Sequence, residues 1–303
     1  MKKYHKYILI LLIILLSLLF TIKNREEPVD KLSEPKIKLY LTKNDQVLQL
    51  ELEDYLIGTV AAEMPASFEL EALKAQAVCA RTYALRKLLT SHKYPRQADL
   101  SDDIYSCQAY IAKTKYDYWQ PELVSKIRKA VTQTRGQIMI YDNQPIDALY
   151  HSTCGGQTES ALNGWGKDIP YLQSVKCKYC RGTKHYQNVS RITLAQLSQS
   201  LGYTRDKIIP IEILTRTSTG RVKEIKIGAQ VISGEKFRQI YNLPSTWFYL
   251  KTDGGSLIIK SNGYGHGSGM CQWGANGMAR AGKDYKQILN TYYKNIEFYQ
   301  INY

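Results

Sequence analysis

The stretch "EDYLIGTVAAEMPASFELEALKAQAVCARTYALRKL", Glu53 to Leu88, decides how this chain folds. Its first part puts Tyr55, Leu56 and Val60 on one face at helical spacing. Pro65 disfavours helical geometry at Met64, so the first helix is expected to end near Glu63. Ser67 suits an N-cap, and Glu69 and Glu71 suit the positive end of a second helix. That helix, rich in Ala and Leu, runs to about Leu89.

Upstream, "IKLYL" and "QVLQLEL" flank "TKND", an alternating pair around turn residues that reads as a hairpin. Downstream, a polar stretch at 91–118 reads as loop. "PELVSKIRKAVTQTRG" opens on Pro121 and closes on Gly136, as a helix does. "QIMIY" and "IDALYH" around "DNQP" form a second hairpin candidate. Residues 152–190 are dominated by Gly, Cys and Tyr, and a strand-rich lobe is expected at about 205–262. "NGYGHGSGMCQWGANG" then opens a closing helical pair. Helices first, strands later and one mixed core indicate an α+β fold, with a helical region packed on antiparallel hairpins and a strand-rich lobe around a cleft.

The amino terminus is of a different kind. Lys2, Lys3 and Lys6 precede the uncharged run "YILILLIILLSLLFTI" at 7–22. It is slightly short for a bilayer but usable as a span. A cleaved signal peptide competes with an uncleaved anchor; no small-x-small cleavage site follows, which favours the anchor. The leading lysines keep residues 1–6 in the cytoplasm. Residues 23–36 read as a charged, proline-containing tether, and 37–303 as the extracytoplasmic domain. The net charge of +14 suits polyanionic surroundings: nucleic acid, anionic lipid or cell wall. No zinc-finger spacing, arginine-rich run or RRM-like motif supports nucleic acid.

Four stretches carry candidate chemistry. In "VAAEMPAS" Glu63 sits at a helix C-terminus among small apolar residues. The negative end of the helix dipole and the lack of solvent both oppose ionisation, as a general acid requires. The competing reading is an ordinary glutamate at an exposed, frayed end. On the next helix, Lys74 and Arg81 are two turns apart across Ala77, with Gln76 and Tyr83 adjoining. This is either a groove for an acidic sugar polymer or a solvated basic stripe. In "YHSTCGGQTES" Tyr150, His151, Ser152 and Thr153 sit at a strand end. Adjacent strand residues point to opposite faces, so His151 is a poor base for Ser152, and the hydroxyls read as substrate hydrogen-bonders. In "GYGHGSGMCQWGANG" no phosphate-loop spacing is present, and His266, Gln272 and Trp273 are the groups a close-approaching backbone would present.

"CKYCRGTKH" adds a possible zinc site. Cys177 and Cys180 form C-x2-C with His185 following. Cys154 or His151 would be the fourth ligand, Cys154 being preferred because it closes a structural Cys3His set. A disulfide is the rival in an oxidising compartment.

Together, "AAEMPASFELEALKAQAVCARTYA", "TRGQIMIYDNQPIDALYHSTCGGQTES", "GWGKDIPYLQSV" and "GYGHGSGMCQWGANGMARAGKDYKQILNTYY" resemble the stage II sporulation protein D family and the related LytB-type amidase enhancers. The likeness covers roughly residues 37–303. It implies a lytic transglycosylase in which the glutamate of the "AAEMPAS" motif, here Glu63, protonates the bond between MurNAc and GlcNAc. The MurNAc 6-hydroxyl then closes on its own C1 to give a 1,6-anhydro end. The same resemblance makes Lys74 and Arg81 glycan-contacting, and makes the Tyr150–Thr153 strand and the His266 loop the opposite wall. It further implies a role in engulfment at the cell membrane, with peptide-stripped glycan strands as substrate and a membrane protein and a peptidoglycan amidase as partners. A non-catalytic, wall-binding amidase enhancer is the alternative from a different class.

Overall fold

The hairpin that opens the domain forms as its alternation predicts. β1 (Lys36–Leu41) pairs antiparallel with β2 (Gln46–Glu51), in register from Lys36↔Glu51 to Leu41↔Gln46. Asp45 takes the left-handed turn position at φ 49°. β3 (Leu100–Ser101) adds in parallel on the other edge of β1. The computed structural model describes residues 33–90, 93–200 and 210–303.

α1 (Leu52–Glu63) stops where Pro65 requires, because Met64 is extended at φ −125° and ψ 142°. α2 (Leu70–Leu88) starts later than the Ser67 cap predicts. Residues 65–68 close a turn through Phe68 N to Pro65 O at 2.9 Å, and the N-cap is Glu69, without a side-chain cap. The Glu69 backbone N–H instead donates to Asn276 Oδ1 at 2.9 Å. α2 is the central rod: Ala72, Leu73, Ala75, Ala77, Val78, Cys79, Ala80 and Ala84 are all fully buried. Every residue from Ala75 to Ala84 is buried, so this part of the helix is surrounded by protein on all sides.

α3 (Lys113–Tyr116) packs on α1, while α4 (Pro121–Gln133) and β4 (Gln137–Tyr141) lie against α2. β4 turns at Asp142 and Asn143, both at positive φ, into β5 (Gln144–Pro145). That second hairpin is shorter than expected, because residues 146–149 leave it. β6 (Tyr150–His151) then pairs in parallel with β13 (Met270–Cys271). The short α5 (Ala161–Trp165) is capped by Ser160.

The strand-rich lobe is larger than its expected 205–262. β7 (Gln187–Thr193) pairs with β12 (Ser256–Asn262), itself paired with β11 (Phe248–Asp253). α6 (Leu194–Ser200) follows β7. A second sheet orders β10 (Gln230–Ser233), β9 (Val222–Ile227) and β8 (Ile211–Arg216), with α7 (Gly234–Ile240) after it. Ile225, Ile227, Phe237, Phe248, Leu257 and Ile259 form the lobe's own core.

The chain closes with α8 (Gln272–Arg280), α9 (Tyr285–Tyr292) and β14 (Glu297–Gln300), the last paired with β4. α9 begins with a full capping box between Asp284 and Gln287. The fold is thus α+β, in several small sheets around a helical centre, and Pro35–Ile301 forms one compact unit. The expected tail at 1–6, span at 7–22 and most of the tether lie outside the described residues. Among the described residues no helix is long and apolar enough to cross a membrane.

Candidate active site

Glu63 ends α1 half-buried. A loop is brought to it because α1 carries a glycine in mid-course. A Cβ at Gly58 would lie 2.4 Å from the Tyr110 ring and 2.7 Å from Ile111 O. With none there, Ile111 N donates to Gly58 O at 3.3 Å, and Tyr110 stacks on Tyr55 with ring centroids 5.8 Å apart. The same crossing lets Ala109 N donate to Glu63 Oε1 at 2.7 Å.

Burial is the dominant influence on Glu63 and pushes its pKa above the ordinary carboxylate value. Hydrogen bonds with Ala109 N, Tyr150 and Gln272 act in the opposite direction. No cation is among these partners. The Tyr150 contact has a further consequence. A phenol has one proton, and that of Tyr150 donates to Gln108 Oε1 at 2.8 Å. Gln108 is fixed in that sense, since its Nε2 reaches Tyr55 Oη at 3.0 Å and Ala80 O at 3.4 Å. The phenol proton is thus contested: it lowers the Glu63 pKa when turned to the carboxylate, and with it on Gln108 only a protonated Glu63 can bond the phenol oxygen. Gln108, unremarked in the sequence, is found only by the fold, which threads a polar loop through this position.

The other expected residues fall into three groups. Tyr150, Ser152, His266 and Gln272 come together around β6 and β13. Gln272 Nε2 donates to Gln76 Oε1 at 3.3 Å, while Gln76 Nε2 is buried without a partner. Trp273 N donates to Ser152 O at 3.1 Å, and the Trp273 ring packs edge-on against Phe68. His266 Nδ1 accepts from Ser268 N at 3.2 Å, so its Nε2–H donates to Tyr150 O at 2.8 Å. The His266 loop therefore supports the Tyr150 strand directly. His266 also lines a cavity of about 870 Å³ with Glu159, Trp165, Arg216, Arg221 and Lys223; Glu63 is not on that cavity's wall.

A second group is structural. His151 and Thr153 are buried. His151 Nδ1 donates to Ser268 O at 3.0 Å, leaving Nε2 buried without a partner, and burial holds its pKa well below the usual imidazole value. Tyr83 is buried with the Lys87 ammonium 5.3 Å from its ring centre. The glycines of the 263–269 loop serve the same packing. A Cβ at Gly269 would fall 1.9 Å from Leu149 O, and one at Gly263 2.4 Å from Thr153 O, both at positive φ. They admit a neighbouring strand of the same chain, not a ligand.

The third group corrects the sequence reading. The shared face of Lys74, Ala77 and Arg81 is not an open groove. Arg81 is fully buried. Its Nε and Nη2 grip Glu53 at 2.8 and 2.7 Å, and it donates further to Gln137 O and Val131 O at 3.2 and 3.3 Å. No donor of such a side chain faces a glycan. Lys74 pairs with Glu71 at 2.7 Å and lies over the Tyr285 ring. Among the cysteines, Cys154, Cys177 and Cys180 do converge, but the fourth member is Cys271 in place of His185. His185 packs against the Tyr264 ring, 4.9 Å between centroids. Cys271 reads as isolated in sequence because 90 residues separate it from Cys180 (271 − 180 − 1).

The stage II sporulation protein family model matches residues 40–141, which hold the Glu63 helix, α2 and β4. Stage II sporulation protein D of Bacillus amyloliquefaciens is 37% identical over 281 residues, covering 89% of this chain and 80% of that protein. Its Bacillus subtilis counterpart is 36% identical, covering 88% and 80%. An amidase enhancer of Bacillus subtilis is 30% identical over 78% of this chain but 39% of its own length. With likeness at this level running through both the helical centre and the lobe, the chain belongs to the stage II sporulation protein D family.

Proposed function

We propose that this chain is a lytic transglycosylase of peptidoglycan that cuts the MurNAc–GlcNAc bond of peptide-stripped glycan strands. The observation that carries the reading is Glu63: a half-buried carboxyl group with raised pKa, held by neutral partners and no cation. Protonated, Glu63 delivers its proton to the glycosidic oxygen as the C1–O bond breaks. The MurNAc 6-hydroxyl attacks C1, and its proton returns to the Glu63 carboxylate. The products are a free GlcNAc 4-hydroxyl and a 1,6-anhydro-MurNAc end, without water. Glycosidases that hydrolyse use two carboxylates; here the substrate supplies the nucleophile and one is sufficient.

Tyr150 and Gln272 hold Glu63 for this work, Ser152 stands beside them as a polar group for the sugar, and His266, with both ring nitrogens bonded within the chain, supports the Tyr150 strand. The cavity at His266, lined by Glu159 and Glu235 as well as Arg216, Arg221 and Lys223, offers polar groups and, in the exposed Trp165, an aromatic face to a saccharide. The net charge of +14 fits the same polymer. Anchoring through residues 7–22, an extracytoplasmic site in the engulfment space, and cooperation with a membrane protein and an amidase that strips stem peptides belong to this proposal.

Purified peptide-free strands are incubated with the protein and their ends read by mass spectrometry. Anhydro ends from the wild type, and none from Glu63→Gln, are expected. Equal product from both proteins would remove Glu63 as the acid. Reducing ends would make the enzyme a hydrolase. No cleavage, with stimulation of an added amidase, would support the enhancer reading that the Bacillus amidase enhancer relative suggests.

A further inference from the structure

The four converging cysteines lie on three separate segments. Cys154 follows β6, Cys177 and Cys180 lie on the turn after α5, and Cys271 is the N-cap of α8. All four are buried, and their sulfurs lie within 4.8 Å of one another. Isolated buried cysteines behave as small apolar groups and need no partner. Four sulfurs turned to one point are a different matter. Ligands about 2.3 Å from a central ion form a tetrahedron with edges of about 3.8 Å, and Cys154 Sγ to Cys180 Sγ is 3.4 Å.

The surroundings are those of thiolates. Cys154 N and Gly274 N both donate to Cys271 Sγ, at 3.2 and 3.3 Å. Tyr292 Oη lies 3.2 Å from Cys177 Sγ. Donors aimed at sulfur are the outer-shell contacts that orient metal-bound cysteines. Four thiolates around a divalent ion leave two negative charges. The buried guanidinium of Arg221 stands next to the site, with Nη2 donating to Cys154 O at 3.2 Å, and shares its charge with the buried Glu159, 3.9 Å from Nη1. The packing leaves no room to spare: a Cβ at Gly274 would sit 2.7 Å from Cys177 Sγ.

We infer that Cys154, Cys177, Cys180 and Cys271 form a closed, all-thiolate zinc centre. Loading releases the four thiol protons to solvent and changes no oxidation state. With every position filled by sulfur the ion has no place for water or substrate, so its role is structural. It ties the segment holding Ser152, the turn at 177–180 and the start of α8, where Gln272 adjoins Cys271. Its purpose is thus to hold the polar side chains around Glu63. The centre itself is inferred independently of what Glu63 does.

The test is elemental analysis of the full chain purified in detergent without a polyhistidine tag. One zinc per chain is expected. Cobalt(II) exchanged into the protein should give the intense sulfur-to-metal charge-transfer band of a tetrahedral thiolate site. His185→Ala should keep full zinc, and Cys271→Ser should lose at least about tenfold in zinc affinity, the range seen when a site's support is removed. Zinc-free protein whose intact mass is lower by four hydrogens would show two disulfides and overturn the inference. Zinc retained by Cys271→Ser and lost by His185→Ala would overturn the ligand set, and stoichiometric iron would overturn the identity of the ion. Should Cys271→Ser fail to fold, the zinc content and cobalt spectrum of the wild type and His185→Ala decide alone.

Discussion

Glu53 and Glu63 are the same residue at opposite ends of one helix; each accepts from a distant backbone amide, and they differ in the side chains that face them. Glu53 sits at the start of α1, where the dipole favours a carboxylate, and both its oxygens are held by the Arg81 guanidinium. Glu63 sits at the end, where the dipole opposes one, and its partners are a backbone amide, a phenol and an amide side chain. The first is an ion pair sealed inside the protein. The second is a group the protein leaves ready to hold and release a proton. On the proposed reading, Glu63 serves as an acid because it is given neutral partners and denied a cation.

The comparison breaks most sharply at Glu63 itself. Glu63→Gln should lower glycan cleavage by about a hundred- to ten-thousand-fold, the range attributed to a general acid, with the far-ultraviolet circular dichroism unchanged. Retained cleavage would remove the distinction between the two glutamates.

Next comes the sealed pair. Arg81→Met should destabilise the fold by about 3–5 kcal/mol, because Glu53 is left buried without its cation. Chemical denaturation measures this, and the double variant Glu53→Leu/Arg81→Met should recover much of the loss. A single variant as stable as the wild type would show that the pair is dispensable.

A third carboxylate calibrates the scale. Asp284 caps α9 at the surface, and Asp284→Ala should cost about 1 kcal/mol, as loss of an N-cap does. The smallest effect is the pH dependence of stability. A carboxyl group whose pKa is raised by folding binds its proton more tightly in the native state. It therefore lowers stability as pH rises from the ordinary carboxylate value through the raised one. Glu63→Gln should melt slightly above the wild type at neutral pH, and the gap should close on acidification below the ordinary glutamate range. A gap that widens with acid would reverse the assigned direction.

Much of this was legible in the residues. Pro65 ended α1 at Glu63 because a proline restricts the residue before it, a local rule that needs no partner. The first hairpin, the helix from Pro121 and the α+β class followed from period and turn chemistry, which are likewise local. Glu63 stood out because its small apolar neighbours are part of its own sequence. The errors share a different origin. Helical spacing showed that Lys74 and Arg81 lie on one face, but not that this face meets Glu53 and the core. The expected cap at Ser67 was overridden by a contact with Asn276, far along the chain.

Sequence alone thus determined the family, the class of fold and the acid on which the proposed chemistry turns, because each is written in short stretches of neighbouring residues. Tertiary structure alone decided that Arg81 is buried, that the loop glycines admit the chain's own strand, and that Cys271 joins three distant cysteines. These depend on which surfaces meet across the fold. Periodicity carries no information about that, because it describes a helix or strand before it has found its neighbours.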